Sequence, residues 1–362
     1  MISAIICAGF ILFLFATAAY IDGSVVVGDL PEIGTKEIDF VRRRKIYLIC
    51  TCVIFYILLA FRDITVGVDT RVYCKSFEKI RELKFGEREY GYTLLTYFIS
   101  LVSHHHRVFL MVTSLFFPIC FYHYLKEEKG TCFSVFLSLI IVMAIEVFVF
   151  AFAGIRQTIA LSLIMLSYKY LLKGKVVQFS LLILLASTFH LSALIFLIAY
   201  PFRKIKLGIW HLVLFVSMFL LGSFAPKAVI DFIGETFFAE SYGQYGTQYE
   251  SSISYTMLLL QSGLLLIAIV YYKAIKKEEE NVTLFNTAFL MLCFQVLTPV
   301  IAEFFRLAYY FSIALCLLIP RTIVKIPDTG SRNLVVYGAV GVMALYLIFF
   351  NNPFVGYTFF FI

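Results

Sequence analysis

Ten long apolar runs joined by short polar connections constrain this 362-residue chain more than any other feature. They lie at about 2–20, 46–61, 108–125, 131–152, 156–172, 208–225, 254–273, 283–302, 304–320 and 333–350. A helix needs about 20 apolar residues to cross a bilayer, and in lipid its backbone must satisfy its own polar groups. The pattern therefore predicts an all-α polytopic membrane protein. Charged residues make up 15% of the chain and hydrophobic ones 61%, against roughly 25% charged in soluble domains, so no large soluble domain is expected. No repeat, low-complexity tract or Pro/Gly/Ser-rich linker divides the sequence, and residues 1–362 read as a single transmembrane domain. The run Ile2 to Tyr20 lacks a basic leader and a small-residue cleavage site, so it reads as a first span rather than a signal peptide.

Two further runs do not fit ten simple crossings. Tyr90 to Ser103 is too short to cross, and Val176 to Tyr200 is flanked on both sides by cations, Lys173-Gly174-Lys175 and Arg203-Lys204-Ile205-Lys206. Basic flanks mark the cytoplasmic side of membrane proteins. The others are Arg42-Arg43-Arg44-Lys45, Lys273 to Lys277 and Arg321 to Lys325. All five share one side only if both anomalous runs return to the side they left, as re-entrant segments buried in protein do. The expected fold is thus about ten full transmembrane helices plus two short or re-entrant segments, with both termini outside. Residues 62–107 form a first outer loop containing a re-entrant segment, and residues 225–252 a large outer loop.

Ionisable groups within or at the mouths of spans are costly and mark candidate functional positions. Arg62, Asp63 and Asp69 follow the second run; Glu146, Arg156, His190, Glu303 and Arg306 lie in or beside later ones. Arg62, Arg156 and Arg306 fall at the outer ends of different spans. A guanidinium stays charged and its planar fork matches phosphate oxygens, so together they suggest an anionic ligand such as a diphosphate; interfacial snorkelling is the alternative. Glu303 and Arg306, three residues apart on one helix, can pair with each other. Asp69, two residues after Gly67, is either a base for a hydroxyl or an Asx-turn residue. His190 is either a group reaching an outward cavity or a core histidine bonded to a nearby hydroxyl such as Ser192. Glu146 suits a structural contact between helices. In the large loop Tyr242 and Tyr245 suit stacking on sugars, or an interfacial tyrosine belt.

The formal charge of +7 fits cytoplasmic anchoring of loops rather than nucleic-acid binding. Eight cysteines sit almost wholly within apolar runs and read as packing residues. His104-His105-His106 are consecutive and point apart on a helix, and no outer loop carries an Asp-x-Asp pair, so neither a metal nor another cofactor is expected. Phosphate loops, zinc-protease helices and nucleophile elbows are absent.

Several of these segments resemble one family in order and spacing. They are Arg62 with Val66-Gly67-Val68-Asp69-Thr70-Arg71-Val72-Tyr73, Glu89-Tyr90-Gly91-Tyr92, Gly154-Ile155-Arg156-Gln157-Thr158-Ile159-Ala160, Phe189-His190-Leu191-Ser192-Ala193-Leu194 and Arg306-Leu307-Ala308-Tyr309-Tyr310-Phe311. The likeness extends to the tail Asn351 to Tyr357 and is to the EpsG-like branch of bacterial Wzy-type polysaccharide polymerases. The resemblance implies a multi-pass glycosyltransferase of the bacterial cytoplasmic membrane acting on its outer face. It would polymerise undecaprenyl-diphosphate-linked oligosaccharide repeat units, with lipid-linked donor and acceptor as substrates and a flippase and a chain-length regulator as partners. On that reading Arg156 and Arg306, with Arg62 in support, hold the diphosphate. Asp69 is the first choice for the base and His190 the second. Tyr73, Gln157, Glu303, Tyr309, Tyr242 and Tyr245 shape the site or hold glycan. A single base with direct displacement inverts the anomeric centre. A glycan ligase, a lipid-linked oligosaccharide flippase and a membrane O-acyltransferase are the competing readings.

Overall fold

The computed structural model describes residues 2–22, 35–80, 89–128, 130–224, 255–298 and 304–361. In chain order the helices are α1 (Ile2–Asp22), α2 (Thr35–Ala60), α3 (Thr70–Glu78), α4 (Tyr90–Val102), α5 (His106–Ser114) and α6 (Phe116–Leu125). Next come α7 (Cys132–Ala144), α8 (Val147–Phe150), α9 (Ile155–Leu172), α10 (Val176–Ser187), a 3-10 helix (Leu191–Ile198), α11 (Ala199–Phe202) and α12 (Ile209–Phe224). The remainder are α13 (Tyr255–Val270), α14 (Tyr272–Ile275), α15 (Glu279–Gln295), α16 (Phe304–Ser312), α17 (Leu315–Val324) and α18 (Thr329–Phe349). Among the described residues extended pairing is limited to one bridge, Arg62 with Phe359, which ties the C-terminal tail to the end of α2.

Every residue of α7 is buried, and α15 is buried over nearly its whole length. Helices apolar on all sides belong in a core, and α1, α2, α17 and α18 pack around α7. Its N-terminus is closed by two partners: Thr131 Oγ1 accepts from the Ser134 N–H at 3.2 Å, and the Asp22 carboxylate accepts from the N–H groups of Cys132 and Phe133 at 3.0 and 2.8 Å. The outer helices turn large apolar side chains outward, among them Leu12, Phe219, Leu259 and Leu334, a surface that suits lipid rather than water.

Three helices are long and apolar enough to cross a membrane: Ile2–Asp22, the continuous stretch His106–Leu125, and Thr329–Phe349. The pair α16 and α17, bent by 41°, makes a fourth if counted as one span. Length and composition alone therefore do not reach the expected ten, because polar breaks shorten several runs. The run 131–152 breaks at Glu146, which adopts a left-handed conformation with φ 66°. Glu146 accepts hydrogen bonds from Tyr309 at 3.0 Å and Tyr346 at 2.9 Å, joining α8 to α16 and α18 in the structural contact its position suggested. At the bend between α16 and α17, the carbonyls of Tyr310, Ile313 and Cys316 accept hydrogen bonds from Tyr168, Tyr124 and Ser138. Side chains of neighbouring helices thus satisfy polar groups near an irregular stretch that lipid could not serve. At its start, α2 runs eleven residues past the apolar run predicted at 46–61 and carries Arg42 to Lys45 within the helix.

The basic flanks gather at one end of the bundle. Arg44 donates to the carbonyls of Leu125 and Lys126 at the end of α6. Arg321 pairs with Glu128 at 2.7 Å and Glu280 at 3.1 Å, Lys325 with Glu278, and Lys204 with Glu279 at 3.0 Å. The segment Val176 to Tyr200 is a hairpin. It breaks at Thr188 to His190, and Tyr200 in α11 donates to the carbonyl of Gly174, before α10, at 2.8 Å. The chain thus returns to the end it left, with His190 at the turn. At the opposite bundle end lie the start of α9 and the C-terminal tail, whose Phe354 meets Phe10 of α1. The expected large loop, 225–252, lies outside the described residues.

Candidate active site

Four separate parts of the chain converge on one carboxylate. Glu89 immediately precedes α4 and has a side chain only 12% exposed. Its Oε2 accepts from Arg156 Nη1 at 2.6 Å and its Oε1 lies 2.8 Å from His190 Nδ1. Besides α4, α9 and the hairpin turn that carries His190, the fourth part is α3, whose Tyr73 hydroxyl accepts from Arg156 Nε at 3.3 Å. Gly91 N–H donates to the Thr188 carbonyl at 2.9 Å, and a Cβ on Gly91 would lie 2.2 Å from Thr188 Oγ1. A glycine is needed there because α4 presses directly on the hairpin tip, and that contact seats Glu89 beside His190.

The bonding fixes what each group has left to offer. Arg156 places Nη1 and Nε on protein and leaves Nη2 without a hydrogen-bond partner among the described residues. His190 places Nδ1 against a carboxylate, which favours the Nδ1–H tautomer and leaves Nε2 as an acceptor. In the first turn of the 3-10 helix, Ser192 Oγ lies 2.9 Å from the Tyr310 hydroxyl, which brings α16 to the same place. Gln157, buried, donates to the Arg306 carbonyl at 2.7 Å and locks the start of α16 to the first turn of α9. The Arg306 guanidinium lies over the Phe305 ring, and its buried Nε has no partner among the described residues.

Asp69 immediately precedes α3 and makes no capping hydrogen bond with its side chain. Its turn is pressed onto the α8–α9 connection: Thr70 donates to the Phe152 carbonyl at 2.8 Å, and Gly67, at φ 87°, passes so close to that carbonyl that a Cβ would clash at 2.1 Å. Tyr73 lies one helical turn beyond Asp69, its N–H donating to the Asp69 carbonyl at 3.0 Å. Nearby Asp63 accepts from the Thr65 N–H at 2.9 Å, which with Arg107 holds its carboxyl below the usual range.

Of the residues singled out in the sequence, the structure therefore gathers Tyr73, Arg156, Gln157, His190 and Arg306. It does not bring in Arg62. That guanidinium is 1% exposed and turned back to the Leu59 carbonyl and Ser114; its own carbonyl accepts from Arg107 at 2.8 Å. Nor does Tyr309 join, since consecutive helical residues diverge and its hydroxyl is taken by Glu146. Tyr242, Tyr245 and Glu303 lie outside the described residues. The residues added by the structure are Glu89, Ser192 and Tyr310. In the sequence Glu89 stands in the matching segment Glu89-Tyr90-Gly91-Tyr92 but carries no assigned role, because the charged stretch Gly86-Glu87-Arg88-Glu89 reads as a solvated loop; an acid adjoining an apolar run too short to cross was the available signal.

Neither a curated protein nor a solved structure matches the chain. The profile of the EpsG family matches residues 45–359, most of the sequence and all of the gathered positions. The chain, a multi-helix protein with membrane-spanning segments, belongs to the EpsG family.

Proposed function

We propose that the protein is a glycosyltransferase of the bacterial cytoplasmic membrane that polymerises undecaprenyl-diphosphate-linked oligosaccharide repeat units at the outer face. The observation that carries this reading is the single carboxylate of Glu89 holding both Arg156 and His190, at the bundle end opposite the basic flanks. Family membership supports the polymerase class. A cation with an open donor next to an imidazole with an open acceptor supplies the two things transfer from a diphosphate requires.

In this mechanism Arg156 Nη2 and the Arg306 guanidinium take oxygens of the donor diphosphate. The acceptor hydroxyl oxygen attacks the anomeric carbon while the bond to the diphosphate oxygen breaks, its electron pair leaving with the diphosphate. His190 Nε2 receives the hydroxyl proton, and Glu89 steadies the imidazolium through Nδ1–H. Direct displacement inverts the anomeric centre. Asp69, one turn from Tyr73, is the alternative base. Purified protein given a defined lipid-linked repeat unit should yield a ladder of two, three and more units; transfer of one unit to a different acceptor would instead make it a ligase, and movement of intact lipid without transfer a flippase.

The orientation has its own test. In a background lacking Cys50, the one exposed cysteine among the described residues, Val68→Cys should react in intact cells with an impermeant maleimide. Lys204→Cys should react only after lysis. Labelling of the Lys204 position from outside would overturn the sidedness.

A further inference from the structure

Behind the first turns of α9 lies a small, half-open space lined by Arg62, Ser114 and Thr158 and walled by Leu59, Phe117 and Ile155. Its volume of about 10 Å³ admits one small guest and excludes a diphosphate. Arg62 is 1% exposed and has no carboxylate partner among the described residues. Its Nε has no hydrogen-bond partner, and neither does Thr158 Oγ1, in a residue 7% exposed. Two unsatisfied polar groups thus line one cavity, and one of them belongs to a permanently charged side chain.

A buried guanidinium without a counter-charge is strongly unfavourable, and a buried hydroxyl without a partner adds to the cost. Arginine only donates, and the threonine and serine hydroxyls can both turn to donate. The N-terminal end of α9, an 18-residue helix whose Ile155 borders the cavity, adds positive potential. The Leu59 carbonyl at the C-terminal end of α2 offsets part of the charge; a water at Nε adds only a dipole, whereas an anion supplies the full counter-charge. We propose that this cavity binds a monatomic anion of the halide class, chloride under ordinary conditions. The ion neutralises Arg62, accepts from Arg62 Nε and Thr158, and braces the helix that carries Arg156 and Gln157.

The test is the thermal unfolding of the purified full-length protein in detergent, in sodium chloride, sodium bromide or sodium gluconate at equal ionic strength. Chloride and bromide should raise Tm saturably and gluconate, too large to enter, should not. Thr158→Val, close to isosteric, should raise the half-saturating halide concentration about tenfold, the scale of one hydrogen bond to a charge, and Arg62→Met should abolish the response. Equal Tm in all three salts would overturn the proposal in favour of a water. So would an unchanged halide midpoint in Thr158→Val, which decides the matter even if Arg62→Met fails to fold.

Discussion

Arg156→Lys is expected to reduce polymerisation of a defined lipid-linked repeat unit by about 100-fold or more, the scale seen when a preorganised charge donor is removed from a transition state. The change keeps the charge, so the expectation rests on geometry. Arg156 reaches Glu89 with Nη1 and Tyr73 with Nε, and only the third corner of its fork is open. An ammonium on a flexible stem presents a point charge. It can stay with Glu89 or move to a diphosphate, but it cannot hold both in fixed register. Tyr73→Phe, which removes one of three contacts, should cost only severalfold. Normal polymer length and rate from Arg156→Lys, at equal protein levels, would reduce Arg156 to an interfacial anchor.

The all-helical class and the hairpin were legible because hydrophobicity and charge act over whole segments, whereas the expected ten spans are not reached by helix length and composition. Lys173 to Lys175 and Arg203 to Lys206 bracket one apolar run, and only a hairpin puts both brackets at one end; Tyr200 bonded to Gly174 closes that hairpin. In the candidate site Arg156 and His190 were legible as ionisable residues, but not the carboxylate that pairs them. Tyr309 and Tyr310 are neighbours in sequence, yet one serves Glu146 and the other Ser192, a division set by the rotation of α16 about its axis. Arg62 looked like its fellow arginines because a guanidinium at a span end is costly wherever it points. Its direction depends on the antiparallel bridge to Phe359, a contact with the far end of the chain. Glu89 was hidden for the converse reason. Its burial depends on the close approach of Gly91 to Thr188, which no local pattern announces.

That approach also favours one of the two candidate bases. On sequence Asp69 is the first choice because an acid in an early outer loop resembles the placement in other polyprenyl-dependent membrane glycosyltransferases, yet its carboxylate makes no capping bond and no described residue orients it. His190 is held by Glu89 at 2.8 Å through Nδ1, an arrangement in which a carboxylate fixes the tautomer and steadies the imidazolium while the far nitrogen takes a proton. His190→Gln should therefore lower turnover by roughly 100-fold or more, the range for losing general-base catalysis, with donor binding retained because both arginines remain. Glu89→Gln should approach His190→Gln, since the amide can accept from only one of the two donors, and its NH2 set against Nδ1 would turn the imidazole to the Nε2–H tautomer, which takes no proton at Nε2. Asp69→Asn should remain within about tenfold of wild type, well short of that loss. The measurement is single-turnover transfer between defined lipid-linked units, alongside donor binding, because a chain-length profile from cells saturates and hides partial defects. Should Asp69→Asn prove inactive but able to bind donor while His190→Gln still turns over, the base is Asp69. His190 and Glu89 would then serve to position Arg156 at the diphosphate.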